Sequence, residues 1–203
     1  MPMSTTTLTL EDIAAALKPT GLPDIIMYQY YKNLEKRTII INEQITANIV
    51  ESVMLPLMEM DNDGTGEPIN IILNTVGGSL FDGATLCNII DNLKTPTTIT
   101  VFTYAYSMGS IILMSGYNNP NVKKKCYKHS TALLHAGSSY LEGDSMSVKD
   151  QFNFYQKFED VIKDYTLSHS KITPEEYEKM ERYEWYMTSD TMLEKGLVDE
   201  IIE

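Results

Sequence analysis

Three short stretches of this 203-residue chain hold residue types that chemistry uses. In "AYSMGS" a serine, Ser107, stands where the β-branched and aromatic run 98–106 gives way to "MGSIILMSG", which reads as the first turns of a buried helix. A nucleophilic serine works best on such a strand-to-helix turn. There its hydroxyl is exposed, and the main-chain N–H groups behind it face the same spot and can hold a developing oxyanion. The stretch departs from G-x-S-x-G, with Ala105 in place of the first glycine and Tyr106 in the free position. On spacing alone, Ser107 is better explained as a helix N-cap. In "NTVGGS", residues 74–79, two glycines follow an apolar run. They let the backbone turn tightly and bring N–H groups close to a ligand, as half of an oxyanion hole would, or they form an ordinary turn. The spacing is not G-x-G-x-x-G, so no dinucleotide site is expected. Of the three histidines, His129 lies in the basic run "KKKCYKHS" and His169 among polar residues near a helix end. Only His135, in "ALLHAGSS", ends an apolar strand at a small-residue turn. Strand ends of α/β sheets are where sites assemble. A serine at one end and a histidine at another suggest a nucleophile and its base, although a lone histidine also serves structure.

The elements that must position these residues follow from hydrophobic periodicity. "RTIII", residues 37–41, reads as a short strand, and Ile45, Ile49, Val53 and Leu57 repeat at helical spacing. A polar loop, 61–68, leads to "INIILN", 69–74, apolar enough for a strand covered on both faces. "SLFDGATLCNIIDNL" reads as a helix, and Pro96 breaks the chain before a third strand, 97–104. Alternating strands and helices predict an α/β fold with a parallel sheet and right-handed crossovers. Beyond the Ser107 helix, 115–130 reads as a loop with a basic patch and room for a short strand. A long helix follows, 146–169, with Val148, Phe152, Tyr155, Phe158, Ile162 and Tyr165 on one face. Such a stripe fits core or a subunit interface better than a cofactor box. "TPEEYEKMER" predicts a helix capped by Thr173 with Pro174 at its first position, and "TSDTMLEKGLVDEII" a last helix stopped at Gly196. The amino terminus, residues 1–24, reads as a flexible tail ahead of one domain, 25–203. It carries a threonine cluster, one short helix with Thr9 and Asp12 at capping-box spacing, and the breakers Pro19, Gly21 and Pro23.

Composition narrows the functional classes. A formal net charge of −12 opposes nonspecific binding to nucleic acid and to anionic membrane surfaces. Two cysteines, Cys87 and Cys126, are too few and too far apart for a disulfide scaffold or a paired metal motif, and suit a reducing compartment. With no secretory signal and no long apolar run, the chain is expected in the cytoplasm.

The order and surroundings of these stretches resemble the ClpP family, the proteolytic subunit of caseinolytic peptidases. "KRTIIINEQI" resembles the family's first core strand and turn, "INIILNTVGGS" its glycine-rich turn, "AYSMGS" its serine elbow and "ALLH" the strand bearing its histidine. "YMTSDTMLEKGLVDEII" resembles its carboxy-terminal segment. The likeness runs from about Tyr28 to Glu203. It implies an α/β fold of ClpP/crotonase-like type, a β-β-α superhelix with a long handle helix at 146–169. It also implies acyl transfer with Ser107 as nucleophile, His135 as general base, and Gly78 and Met108 supplying oxyanion N–H groups. The family's third member falls on Glu184, two residues before Tyr186; Glu184 also suits a solvated helix-end carboxylate, and Asp190 is the fallback. No metal or organic cofactor is implied. Self-association into heptameric rings, single or doubled, is implied, as is an AAA+ unfoldase partner. Any ATP would be hydrolysed by that partner, because this chain has no G-x-x-x-x-G-K-[ST]. The substrate would be a peptide or unfolded protein.

Several positions depart from the family pattern. Val76 stands for proline in the glycine turn, Tyr104 and Tyr106 for small residues before the serine, where they are expected to narrow the acyl pocket, and Ala136-Gly137 for Gln-Pro after the histidine. Tyr183 stands for an arginine that helps join two rings, so doubling of the ring does not follow from the resemblance. A non-catalytic ring subunit, a phage head-maturation protease and a crotonase-type acyl-CoA enzyme remain as alternatives.

Overall fold

The computed structural model describes residues 24–203 apart from Ser139. The short amino-terminal helix expected around Thr9 and Asp12 lies outside these residues. The described chain begins with a helix not legible in the sequence pattern, α1 (Ile25–Glu35), whose N-cap Asp24 accepts the Ile26 N–H at 2.7 Å. Then come β1 (Thr38–Ile41), α2 (Ala47–Asn62), β2 (Ile69–Thr75), α3 (Leu80–Asp91), β3 (Thr97–Tyr106), α4 (Met108–Met114), β4 (Val122–Tyr127) and β5 (Thr131–Leu134). The chain closes with the long α5 (Ser145–Ser168), α6 (Pro174–Met180), β6 (Trp185–Thr188), α7 (Ser189–Glu194) and β7 (Glu200–Ile202).

Five strands form a parallel path in the order β1-β2-β3-β4-β7. Their inward residues, among them Ile41, Ile69, Ile71, Leu73, Ile99 and Val101, are fully buried, and α2 and α3 add Ile49, Val53, Leu57, Leu86 and Ile90. The topology that matters for chemistry lies in β3. Its first half pairs with β4, Thr97–Val101 against Val122–Cys126, whereas its last three residues pair in parallel with β5, Tyr104–Tyr106 against Thr131–Leu133. β6 then runs antiparallel to β5. Parallel strands put their carboxyl ends at one edge of a sheet, so the residues that follow β2, β3 and β5 converge.

Two expectations are modified. The short strand for which the basic stretch 115–130 left room is β4, and the basic patch is not all solvated: a period-2 burial pattern places Lys124 inside at 1 % exposure. Its ammonium donates to the Gly196 carbonyl at 3.3 Å and lies 4.8 Å from the centre of the Tyr117 ring. The apolar stripe of the long helix is only partly covered by its own chain. Tyr155, Phe158 and Ile162 are half-buried, whereas Phe152 remains 50 % exposed. The amino-terminal half of α5 meets the body through Phe81, which packs on Phe154, Tyr155 and Phe158 with ring centroids 4.7–6.0 Å apart.

Burial lowers the Lys124 pKa from 10.5 to about 8, against the attraction of Asp199 and Asp91. Between those two values the unfolded chain binds the proton and the folded chain does not, so this group makes stability rise with pH, by at most ~3 kcal/mol. Burial acts oppositely on Cys87, Cys126 and Tyr177, raising them to about 12, 11 and 12, but those groups are common to wild type and variant. Urea unfolding of the wild type and Lys124→Met across pH 7–10.5 is therefore expected to show the wild type gaining on the variant as pH rises. A constant difference would mean that Lys124 stays protonated.

Candidate active site

Ser107 follows directly on β3, and its backbone is held at φ 53°, ψ −124°, a region that non-glycine residues rarely visit. Three contacts fix this strained turn. The Ser107 N–H donates to the Leu133 carbonyl at 2.8 Å, continuing the β3–β5 ladder. The Ser110 N–H donates to the Ser107 carbonyl at 2.9 Å. The fully buried Ser110 hydroxyl lies 2.7 Å from the Ala105 carbonyl and 2.8 Å from that of Leu133, tying the end of β3 to β5. Ser107 does occupy the N-cap position of α4, but its side chain makes no capping hydrogen bond. Its Oγ lies instead 2.8 Å from His135 Nε2.

That meeting follows from register. The last β3–β5 pair is Tyr106 with Leu133, so Ser107 and His135 leave neighbouring parallel strands one and two residues later. For Nε2 to accept the serine proton, the imidazole must carry its own proton on Nδ1, where a carboxylate or carbonyl would fix the tautomer. Continuing the antiparallel β5–β6 register, in which Leu133 faces Tyr186 and Leu134 faces Trp185, puts Glu184 opposite His135. Its carboxylate, however, accepts a hydrogen bond from the Tyr186 hydroxyl at 2.9 Å, which raises the pKa of that hydroxyl above its ordinary value. Among the described residues no carboxylate oxygen lies within 4.0 Å of a His135 ring nitrogen. Asp190, in the first turn of α7, sits near Cys126 and Lys128; burial raises the pKa of Cys126 and the Glu203 hydrogen bond that of Lys128, and the Asp190 charge adds to both.

The glycine turn after β2 packs directly behind the serine. Gly77, at φ 90°, comes so close that a Cβ would stand 2.5 Å from the Tyr106 carbonyl and 2.8 Å from both the Met108 nitrogen and Ser107 Cβ. Gly78, at φ 149°, is pinned by Ile45: the Ile45 N–H donates to the Gly77 carbonyl and the Ser79 N–H to the Ile45 carbonyl, each at 2.8 Å. Among the described residues the N–H groups of Gly78 and Met108 donate to no protein acceptor. Both residues line one cleft with Ser107 and His135. Its volume is about 1350 Å³, and α5 and α6 flank it with Tyr155, Ile162, Tyr177 and Met180. Two uncommitted donors, a hydroxyl and an imidazole facing one cavity are the parts that acyl transfer needs. Among the described residues no three His, Cys, Asp or Glu side chains gather as metal ligands would.

The two tyrosines before the serine do not line this cleft. The Tyr106 hydroxyl bonds the Thr131 hydroxyl at 2.9 Å, and the Tyr106 ring stands edge-on to Tyr186, 6.0 Å away, so no narrowing of the cavity comes from them. His129 is exposed in a turn, His169 stacks on Tyr165 near Asp91, and neither lines the cleft. The Ser110 clamp and the Tyr186–Glu184 contact were not read from sequence. A serine inside an apolar helix start and a tyrosine in a short strand carry no pattern that distinguishes them.

Comparison with known proteins adds independent support. The sequence model of the Clp protease family matches residues 24–203. The "ATP-dependent Clp protease proteolytic subunit" of Deinococcus radiodurans is 23 % identical over 191 residues, 94 % of this chain and 92 % of the relative. The protein of the same name from Cyanophora paradoxa is 22 % identical over 84 % of this chain and 86 % of its own length. The "ATP-dependent Clp protease proteolytic subunit 1" of Salinibacter ruber is 24 % identical over 83 % of this chain and 71 % of its own.

Because an added Cβ at Gly77 would press on the Ser107 turn, Gly77→Ala is expected to slow labelling of the protein by a serine-directed fluorophosphonate roughly 10²-fold or more, the cost of a misplaced oxyanion donor. The melting temperature checks that the fold survives. Labelling at the wild-type rate would show that the turn tolerates the displacement.

Proposed function

The chain belongs to the Clp protease family, and from that premise we propose that it is a serine endopeptidase subunit that cleaves peptides or unfolded proteins through an acyl-enzyme. The observation that carries this reading is the 2.8 Å contact between Ser107 Oγ and His135 Nε2 beside the unpaired N–H groups of Gly78 and Met108. Ser107 attacks the peptide carbonyl while His135 takes the hydroxyl proton. The carbonyl oxygen becomes an oxyanion between the two N–H groups. His135 returns the proton to the leaving amine, and water hydrolyses the ester by the same steps in reverse order. Glu184 is the third member in this reading. Continuing the β5–β6 register one step past Leu134–Trp185 brings it opposite His135, which supports this reading, and an engaged carboxylate would hold the Nδ1–H tautomer.

We further propose that the subunit assembles with copies of itself into heptameric rings, which enclose the clefts, and receives substrate from an AAA+ unfoldase. The exposed aromatic face of α5, with Phe152 and Phe154 about half uncovered, is surface suited to a facing subunit. The cytoplasm is the compartment we propose, in keeping with two buried unpaired cysteines. Residues 1–24 would be a separate tail on the peptidase domain. A second reading, a ring subunit without catalysis, draws on one observation: the Glu184 carboxylate rests on Tyr186 rather than on His135.

Ser107→Ala is expected to lower cleavage of a fluorogenic peptide by more than 10³-fold while leaving the assembly mass unchanged by light scattering. Wild-type turnover in that variant would overturn the assignment. Glu184→Gln is expected to reduce kcat, and Asp190→Asn to leave it within a factor of two. The reverse pattern would move the third member to Asp190.

A further inference from the structure

The β5–β6 ladder, whose register continued one step past Leu134–Trp185 brings Glu184 opposite His135, also sets a second donor beside the same carboxylate. Tyr186 lies in β6 two residues after Glu184, which immediately precedes that strand, and its hydroxyl donates to Glu184 Oε2 at 2.9 Å. The ring that presents this hydroxyl is itself braced. It meets the Tyr106 ring edge-on at 6.0 Å and 89°; the Tyr106 hydroxyl is bonded to Thr131 Oγ1; and Tyr104 packs against Tyr106 with centroids 5.3 Å apart. Glu184 has no other side-chain partner among the described residues. Residues two apart along a strand lie ~6.8 Å from one another, while directly facing residues of neighbouring strands have Cβ atoms ~4.5–5.5 Å apart. A glutamate side chain can therefore turn either along the chain to Tyr186 or across the ladder toward His135.

Taking Glu184 as the partner of His135 proposed above, we infer that Tyr186 is a positioning residue that latches the Glu184 carboxylate away from the imidazole, and that the peptidase exchanges between this latched arrangement and an engaged one. In the latched arrangement Ser107 and His135 are already in contact, but no carboxylate of the described residues holds the imidazole tautomer, so turnover is slow. In the engaged arrangement the Tyr186 hydroxyl faces solvent, which its 59 % exposed residue can do without burying an unsatisfied group. A substrate or neighbouring subunit that favours the second arrangement then activates the site by the difference in its affinity for the two.

The full-length chain carrying Tyr186→Phe keeps the ring and its contact with Tyr106 and loses only the latch. Its kcat on a fluorogenic peptide is expected to rise about fivefold with KM unchanged, as removal of one competing hydrogen bond of ~1 kcal/mol would give. Fluorophosphonate labelling should accelerate in parallel. Adding Glu184→Gln should cancel the gain, because the latch acts only through that carboxylate. A Tyr186→Phe protein of unchanged melting temperature whose kcat is unaltered or lower overturns the latch. If Glu184→Gln alone is costly while Tyr186→Phe is silent, the latch falls and Glu184 keeps its role. If Glu184→Gln alone is silent, both fall together.

Discussion

The pairing of the last three residues of β3 with β5 is the constraint on which the rest of the site depends. Serine and histidine are separated by 28 positions in the chain, and no local preference brings them together. The 2.8 Å hydrogen bond from the Ser107 amide to the Leu133 carbonyl does so by extending the ladder one step past the strand, into a residue whose φ of 53° a strand would not tolerate. Such backbone conformations cost on the order of 1–3 kcal/mol and persist only where surrounding contacts over-determine them. Here the Ser110 hydroxyl, fully buried between the Ala105 and Leu133 carbonyls, and the Gly77 backbone pressed behind the turn supply those contacts. The strain is useful because it turns the Ser107 hydroxyl out to the imidazole while the next N–H, that of Met108, stays unpaired toward the cleft.

The other half of the oxyanion cradle is built by a different device. Ile45 bridges the glycine turn on both sides, taking the Gly77 carbonyl and the Ser79 N–H, and so leaves the N–H between them free. An unpaired main-chain donor costs free energy when buried, so placing one at an open cavity serves both stability and chemistry. The long helix α5 and the short α6 close this cavity only loosely. The aromatic packing around Phe81 holds α5 near the mouth, and much of its surface stays uncovered within a single chain. A second copy covering that face would complete the wall, which links the proposed assembly to the shape of the site.

Much of this was legible in residues whose surroundings betray them. Ser107, His135 and the paired glycines each stand at a small-residue turn after an apolar run, and those turns survive intact in the fold. The parallel sheet and the long helix followed from periodicity, the helix running Ser145–Ser168 where 146–169 was expected. What escaped were features that oppose their own pattern. β4 alternates inside and outside with period two, but a lysine occupies an inside position, so three consecutive lysines read as a solvated patch. The Ser110 clamp and the orientation of Glu184 depend on which of several acceptors or donors a side chain reaches, and that is decided by packing across strands distant in sequence. The expectation that Tyr104 and Tyr106 narrow the cavity failed for a simple reason: they project to the face of the ladder where Thr131 and Tyr186 meet them.

The central claim is that His135 activates Ser107 in the folded chain. Site-resolved mass spectrometry of fluorophosphonate labelling, run on the wild type and on His135→Ala, measures it directly. The account predicts modification at Ser107 in the wild type and a rate at least ~10³-fold slower without the imidazole. A Ser107 that stays unmodified, or that reacts equally fast in both proteins, would contradict it.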